Sequence, residues 1–356
     1  MMEYYEKIKQ QGYYLIAEIG VNYYEIAKKE QISPLEAAIL MMKQAKEAGA
    51  DAAKFQTYKA ENLVMVDSPG SWDRNDIEIE TQYELFKLYD RFGEKEYAAL
   101  CQAAKGIGIE FMSTPFDLEA VEYLDKYLNV YKISSSDISN FPLVEAVARK
   151  NKPIILSTGA SDLAEIEKAV ELIKKYNDKQ LTLLHCVLEY PTPYEHANLN
   201  KIKSLAERFP DMIIGYSDHT LPDEHMDVLK TAYQLGARVI EKHFTLDKTI
   251  KKMNDHFHSM DCKDLRTVKD GIELIKKISG DGNLVCLASE MQTRNSVRRS
   301  AVSRRIIKKG EKLTEDMIIY KRPGSGLSPE AVAVIIGRVA NRDIEQDIIL
   351  DAGMFE

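Results

Sequence analysis

The run IIGYSDHT (213–220) ends on His219, and VIEKHFT (239–245) carries His243 near its close. Imidazoles that finish consecutive apolar runs converge if those runs are neighbouring strands. With water and substrate oxygens they suit a divalent metal such as manganese, leaving open positions for Lewis-acid work. Two other runs carry lysines, Lys54 in AAKFQTY and Lys132 in VYKISSS, while Thr114, Ser135, Ser157 and Ser217 supply hydroxyls. A single lysine in a strand reads as half of a structural ion pair. Two lysines with hydroxyls from several other runs read as an anion site, because a phosphate plus a carboxylate satisfies all of those donors together. Glu18 stands near the end of the first run, with Asn22 after it, and Gln56 shares a face with Lys54 by period-two alternation. Glu241 sits two residues before His243 with no assigned role, and His185 either faces the same mouth or packs inward. His196, His225, His256 and His258 fall in loops or helix starts, where solvation is the default; Asp255 lies in the loop KMNDHFHSMD after the last run.

Short β-branched runs alternate with longer amphipathic ones, the rhythm of a parallel sheet. Strands are predicted at 14–20, 52–58, 109–116, 130–136, 153–159, 181–187, 212–218 and 238–245, and helices at 33–50, 162–177 and 264–280. In the first helix Ser33 is a cap, Pro34 suits the first turn and Gly49 the end. The count and length predict an α/β fold with a (β/α)8 TIM barrel over residues 1–280. An open doubly wound sheet is the alternative, but the first strand lacks the nucleotide-binding glycine fingerprint. Residues 281–297 read as a linker, and 298–356, with its KKGE and RPGSG turns, as a small β-rich domain. Barrel chemistry sits at the C-terminal ends of the strands, where these polar residues collect.

Composition narrows the partners. The 356 residues are 45% hydrophobic and 29% charged, with a net charge of −8 and no basic block, which argues against nucleic acid. No apolar run is long enough for a membrane span, and the charged N-terminus does not resemble a signal peptide. Cys101, Cys186, Cys262 and Cys286 are widely spaced, so no disulfide framework or zinc knuckle is expected and the cytoplasm is the expected compartment.

The ordered series AEIGVN, KFQT, STPFD, YKISSSDISNFPL, KPIILSTGA, LLHC followed by YPTPYE, IIGYSDHT, EKHFTLDK and KRPGSG resembles the sialic acid synthase family, with a C-terminal SAF, or antifreeze-like, domain. The resemblance implies condensation of phosphoenolpyruvate with the open-chain aldehyde of a 2-acetamido sugar, giving a nine-carbon 2-keto-3-deoxy acid and phosphate. It implies that His219 and His243 hold the metal, with manganese first and magnesium or cobalt as alternatives. Lys54, Thr114, Lys132, Ser135, Ser157 and Ser217 then bind phosphoenolpyruvate, and Glu18 is catalytic, beside the carbon that becomes positive. Gln56, Asp137, Tyr190 and Asp255 contact the sugar. Arg322 reaches it from the other subunit of a domain-swapped homodimer. Departures from the family pattern are Tyr23 where a histidine is usual, with a longer loop before the first helix, Leu188 in place of an asparagine donor, Asp137 in place of glutamate, and an altered loop after the eighth strand. They bear on the sugar. N-acetylmannosamine is the first expectation, with a 2,4-diacetamido-trideoxyhexose, leading to legionaminic or pseudaminic acid, as the alternative. Lys248, Lys251 and Lys252 leave room for a phosphorylated hexosamine. A non-catalytic carbohydrate-binding protein on a decayed synthase is the remote reading, and it predicts loss of lysines and histidines that are all present.

Overall fold

The computed structural model describes residues 4–70, 79–250 and 254–356. All eight predicted barrel strands are present: β1 Tyr14–Gly20, β2 Ala52–Thr57, β3 Glu110–Pro115, β4 Tyr131–Ile133, β5 Ile154–Ser157, β6 Leu181–Cys186, β7 Ile213–Asp218 and β8 Val239–His243. They pair in parallel in the order β3-β2-β1-β8-β7-β6-β5-β4. β3 and β4 stand side by side without a paired ladder, so the barrel is nearly closed. β4 is shorter than its predicted span because the chain turns into a 3-10 helix at Ser135–Asp137.

Alternation along the strands sorts the interior by height. Tyr14, Ile16, Ala52, Met112, Val130, Ile155, Leu184 and Val239 form an apolar cluster low in the barrel with Tyr4 and Ile8 of the helix Tyr4–Gln11. That helix closes the lower end, where the Tyr4 hydroxyl hydrogen-bonds Thr182 Oγ1 at 2.8 Å. The next positions on the same faces, two residues higher, are Glu18, Lys54, Thr114, Lys132, Ser157 and Glu241. Apolar residues fill the floor and polar ones the upper mouth.

The outward faces pack under the helices. Pro34–Ala48 begins with a full capping box between Ser33 and Glu36 and ends at Gly49, whose φ of 110° only glycine adopts without strain. Leu163–Tyr176 is capped by Asp162 in the same way, and Cys262–Ser279 follows β8. The segment expected as a long loop after Asn22 is instead the helix Tyr23–Glu30. Tyr23, Tyr24, Ile26 and Ala27 fall on one helical face and are all buried, with Tyr23 stacked on Phe92 at 4.7 Å between ring centroids. Tyr23 is therefore a core residue, which corrects its placement at the sugar site.

Contacts divide the chain into Met1–Ser279 and Gly280–Glu356. The second unit has an antiparallel pair, β9 Ser300–Ser303 with β10 Ile318–Lys321, over a core that includes Ala301, Ile307, Leu313, Ile335 and Leu350. The expected linker contains the helix Met291–Val297, and Arg322 follows β10 on the surface of its unit. No helix among the described residues is long and apolar enough to cross a membrane, and the four cysteines are free thiols.

Candidate active site

The upper mouth holds four buried charged groups. Lys54 Nζ lies 2.5 Å from Glu18 Oε2 and 3.7 Å from Glu241 Oε2, while Lys132 Nζ lies 3.7 Å from Glu241 Oε1. Ser217 Oγ donates to Glu241 Oε1 at 2.9 Å, Gln56 Nε2 to Glu18 Oε1 at 3.1 Å and Lys54 Nζ to Thr114 Oγ1 at 3.3 Å. Burial raises the Glu18 carboxyl to about 7, with Lys54 opposing and Glu241 reinforcing the rise. Burial also pushes Glu241 upward, but Lys132 and Lys54 outweigh it and hold this carboxyl below its ordinary value. The lysines split likewise. For Lys54 the two carboxylates overcome burial and raise its value, whereas burial keeps Lys132 low. Ser157 Oγ is buried there without a hydrogen-bond partner. Two ammonium groups and several hydroxyls thus converge at one mouth, the donor types that hold an anion.

Two residues above Ser217 and Glu241 on their strands come His219 and His243, with ring centroids 5.5 Å apart. His219 Nδ1 donates to the Val187 carbonyl at 2.7 Å, so Nδ1 keeps the proton and Nε2 carries the lone pair. His243 Nδ1 is buried without a hydrogen-bond partner, and burial followed by His219 and the lysines holds its value well below the usual range. Tyr190 packs 4.2 Å from the His219 ring, and Asp255 Oδ2 lies 3.7 Å from His243 Nδ1. Two neutral imidazoles with lone pairs turned into one polar mouth fit a divalent ion. Behind them, facing outward, Lys242 Nζ lies 2.5 Å from Asp218 Oδ2 and 2.7 Å from the Thr220 carbonyl, a buried pair that clamps β7 to β8 where both histidines emerge.

Residues 41–284 match the NeuB family and residues 298–356 the SAF domain. The chain belongs to the NeuB family. It is 41% identical over 342 residues to a Methanocaldococcus jannaschii protein of uncharacterised function, with 95% of this chain and 93% of that one covered. It is 37% identical over 331 residues to the N,N'-diacetyllegionaminic acid synthase of Legionella pneumophila, covering 91% and 89%. The crystal structure of N-acetylneuraminic acid synthetase from Leptospira borgpetersenii in complex with citrate superposes with a TM-score of 0.66 at 33% identity, covering 79% of this chain and 90% of that one.

The remaining residues expected to act in this NeuB chain are more scattered. Ser135 Oγ is 3.0 Å from Cys186 Sγ and accepts from Gly159 N at 2.9 Å. A Cβ on Gly159 would meet Cys186 Sγ at 2.6 Å, Ser135 Oγ at 2.9 Å and Leu188 Cγ at 3.2 Å, so glycine keeps this corner open and Leu188 borders it. Asp137 is buried and accepts from Ser134, Ser136 and Asn140. His185 points outward, 2.8 Å from the Ala197 carbonyl and packed on Tyr216, which decides between its two readings in favour of packing. Lys248 is tied to Asp261 and Asp264, and Lys251 and Lys252 lie outside the described residues. His196 and His225 are exposed as expected. His256 and His258 are not solvated: both are fully buried, because the helix Asn254–His258 folds back toward the end of β8. Sequence reasoning left two residues unassigned that the structure makes central, Glu241 between the lysines and His258 beside His243. Their only sequence signals were the two-residue spacing of Glu241 from His243 and the three-residue spacing of His258 from Asp255.

Proposed function

We propose that this NeuB-family chain condenses phosphoenolpyruvate with the aldehyde of a 2-acetamido sugar to give a nine-carbon 2-keto-3-deoxy acid and phosphate. The observation that carries the reading is the buried Lys54–Glu18–Glu241–Lys132 cluster, with the partnerless Ser157 hydroxyl, lying directly beneath a histidine pair at the barrel mouth. Lys54 and Lys132, with Thr114, Ser135, Ser157 and Ser217, bind the phosphate and carboxylate of phosphoenolpyruvate. Gln56, Asp137, Tyr190 and Asp255 orient the sugar so that its aldehyde carbon faces carbon 3 of phosphoenolpyruvate. His219 and His243 would hold a divalent ion, manganese in the first instance, which when bound supplies Lewis-acid polarisation of the aldehyde oxygen. As the new carbon–carbon bond forms, positive charge develops at carbon 2, and Glu18 stabilises it and positions the water that adds there. The resulting tetrahedral carbon expels phosphate by C–O cleavage.

The likeness to a diacetyllegionaminic acid synthase favours a 2,4-diacetamido-trideoxyhexose as acceptor over N-acetylmannosamine. Phosphate release from phosphoenolpyruvate and manganese tests this with three acceptors in parallel: N-acetylmannosamine, its 6-phosphate, and 2,4-diacetamido-2,4,6-trideoxymannose. Release is expected with the diacetamido sugar. Release with N-acetylmannosamine alone replaces the acceptor but keeps the reaction, and silence with all three in protein that binds phosphoenolpyruvate refutes the condensation with these sugars. The reading also includes a domain-swapped homodimer in which Arg322 serves the other copy's sugar. A stable, fully active monomer in sedimentation would remove Arg322 from the site.

A further inference from the structure

We propose that the metal site of this chain has a third imidazole ligand, His258, in addition to His219 and His243. The inference rests on the reading above that a divalent ion is held at this mouth, and it extends the ligand set to a residue that nothing else assigns. His258 is fully buried, and neither of its ring nitrogens has a hydrogen-bond partner. Leaving a buried polar atom unsatisfied costs about 1–3 kcal/mol, so a histidine with two such atoms is a poor structural residue. It is well placed as a ligand.

Its ring centroid lies 5.0 Å from that of His243 and 6.3 Å from that of His219. Ligand atoms from His243, Asp255 and His258 lie within 4.8 Å of one another. Ligands bound at about 2.0–2.2 Å to a common ion stand no more than about 4.4 Å apart, so small side-chain rotations bring His243, Asp255 and His258 onto one ion. Asp255 Oδ1 is 3.9 Å from His258 Nε2 and its Oδ2 is 3.7 Å from His243 Nδ1, which puts the carboxylate within reach of the same ion.

The backbone already holds His258 in place. Asp255 and His258 are three residues apart on the helix Asn254–His258 and share its face. The helix is followed directly by a tie to β8, where Met260 N donates to the His243 carbonyl at 2.8 Å. Ser259 Oγ donates to the Asp255 carbonyl, and Asn22 Nδ2 reaches Ser259 Oγ at 3.4 Å and the Phe244 carbonyl at 3.1 Å. His256, on the same helix, instead pairs its Nδ1 with Thr245 Oγ1 at 2.7 Å. A third imidazole adds nitrogen to a site that two histidines and oxygens would tune to manganese, so it shifts preference toward cobalt and zinc.

The test uses the metal-depleted full-length protein, titrated with cobalt and read by visible d–d absorption and by calorimetry. Bound manganese is examined in parallel by pulsed electron paramagnetic resonance, which counts coordinated imidazole nitrogens. His258→Phe and His258→Gln should each lower cobalt affinity at least about tenfold, the lower end of what even a group supporting a metal ligand contributes. The nitrogen count should fall by one, and His256→Gln should match the parent protein. If both His258 variants keep the parent affinity and spectrum while His219→Ala and His243→Ala lose the metal, the third-ligand inference is overturned and the pair stands. If His219→Ala and His243→Ala also bind cobalt as the parent does, the placement of the metal at this mouth falls with it.

Discussion

Replacing Glu241 by glutamine removes the carboxylate that pairs with both lysines, and its cost follows from the geometry. Each Lys–Glu241 separation is 3.7 Å. At an effective dielectric constant near 20, each pair is worth about 4.5 kcal/mol of attraction before desolvation is counted. Glu241→Gln no longer pays the desolvation cost of its own charge, but it leaves Lys54 and Lys132 buried with Glu18 as their remaining carboxylate, and breaking a buried ion pair typically costs about 3–5 kcal/mol. Glu18 softens this, because losing Glu241 removes a charge that raises its carboxyl and lets it ionise more fully against Lys54. The lower end, about 3 kcal/mol, is therefore expected, which for a unit of this size lowers the melting temperature by about 5 °C. The site also gains net positive charge, so inorganic phosphate and phosphoenolpyruvate should bind at least about tenfold more tightly, or about 1.4 kcal/mol, and should restore more stability to the variant than to the parent. Thermal unfolding with and without phosphate, alongside calorimetric titration, reads both effects. A variant with the parent's melting temperature and phosphate affinity would refute the claim that Glu241 balances the two lysines.

Lys242→Met should destabilise by about 3–5 kcal/mol in denaturant unfolding by stranding the buried Asp218 carboxylate, and the double variant with Asp218→Leu should recover most of that loss. A double variant no more stable than the single one would show that the pair is not a unit. Burial, opposed by Asp255, lowers His256 to about 4, so the folded state keeps it neutral. Its contribution is present above the unfolded value near 6.5 and is lost as pH falls from there toward 4, amounting to about 3 kcal/mol, and His256→Gln should flatten that acid limb. Glu18→Gln should not weaken phosphoenolpyruvate binding, since it too removes a negative charge beside Lys54, while slowing turnover by about 10²–10³, and unchanged turnover would return Glu18 to a structural role.

The barrel could be read from local pattern because each strand announces itself. Alternation places Tyr14, Ile16 and Glu18, or Val239, Glu241 and His243, on one face whatever the rest of the chain does. That the lysines and hydroxyls share one mouth with the histidine pair was legible for the same reason, since strand-end residues of a barrel converge there. Tyr23 misled because a departure from a family motif was read as a site change, whereas its position on a helical face buries it under Phe92.

Sequence alone thus determined the strands, the helix caps and which side chains face the interior, because these depend on residues two to four positions apart. Tertiary structure decided which charges neutralise which. Glu241 on β8 meets Lys132 on β4, on strands that no ladder joins, and only closure of the barrel brings them together. It also decided that His256, His258 and Ser259 of the polar stretch DHFHS are buried, since a short helix lies near the end of β8 and carries the His258 ring centroid to 5.0 Å from that of His243. Burial and charge balance are set by what the rest of the chain places opposite a residue, and no local spacing encodes that.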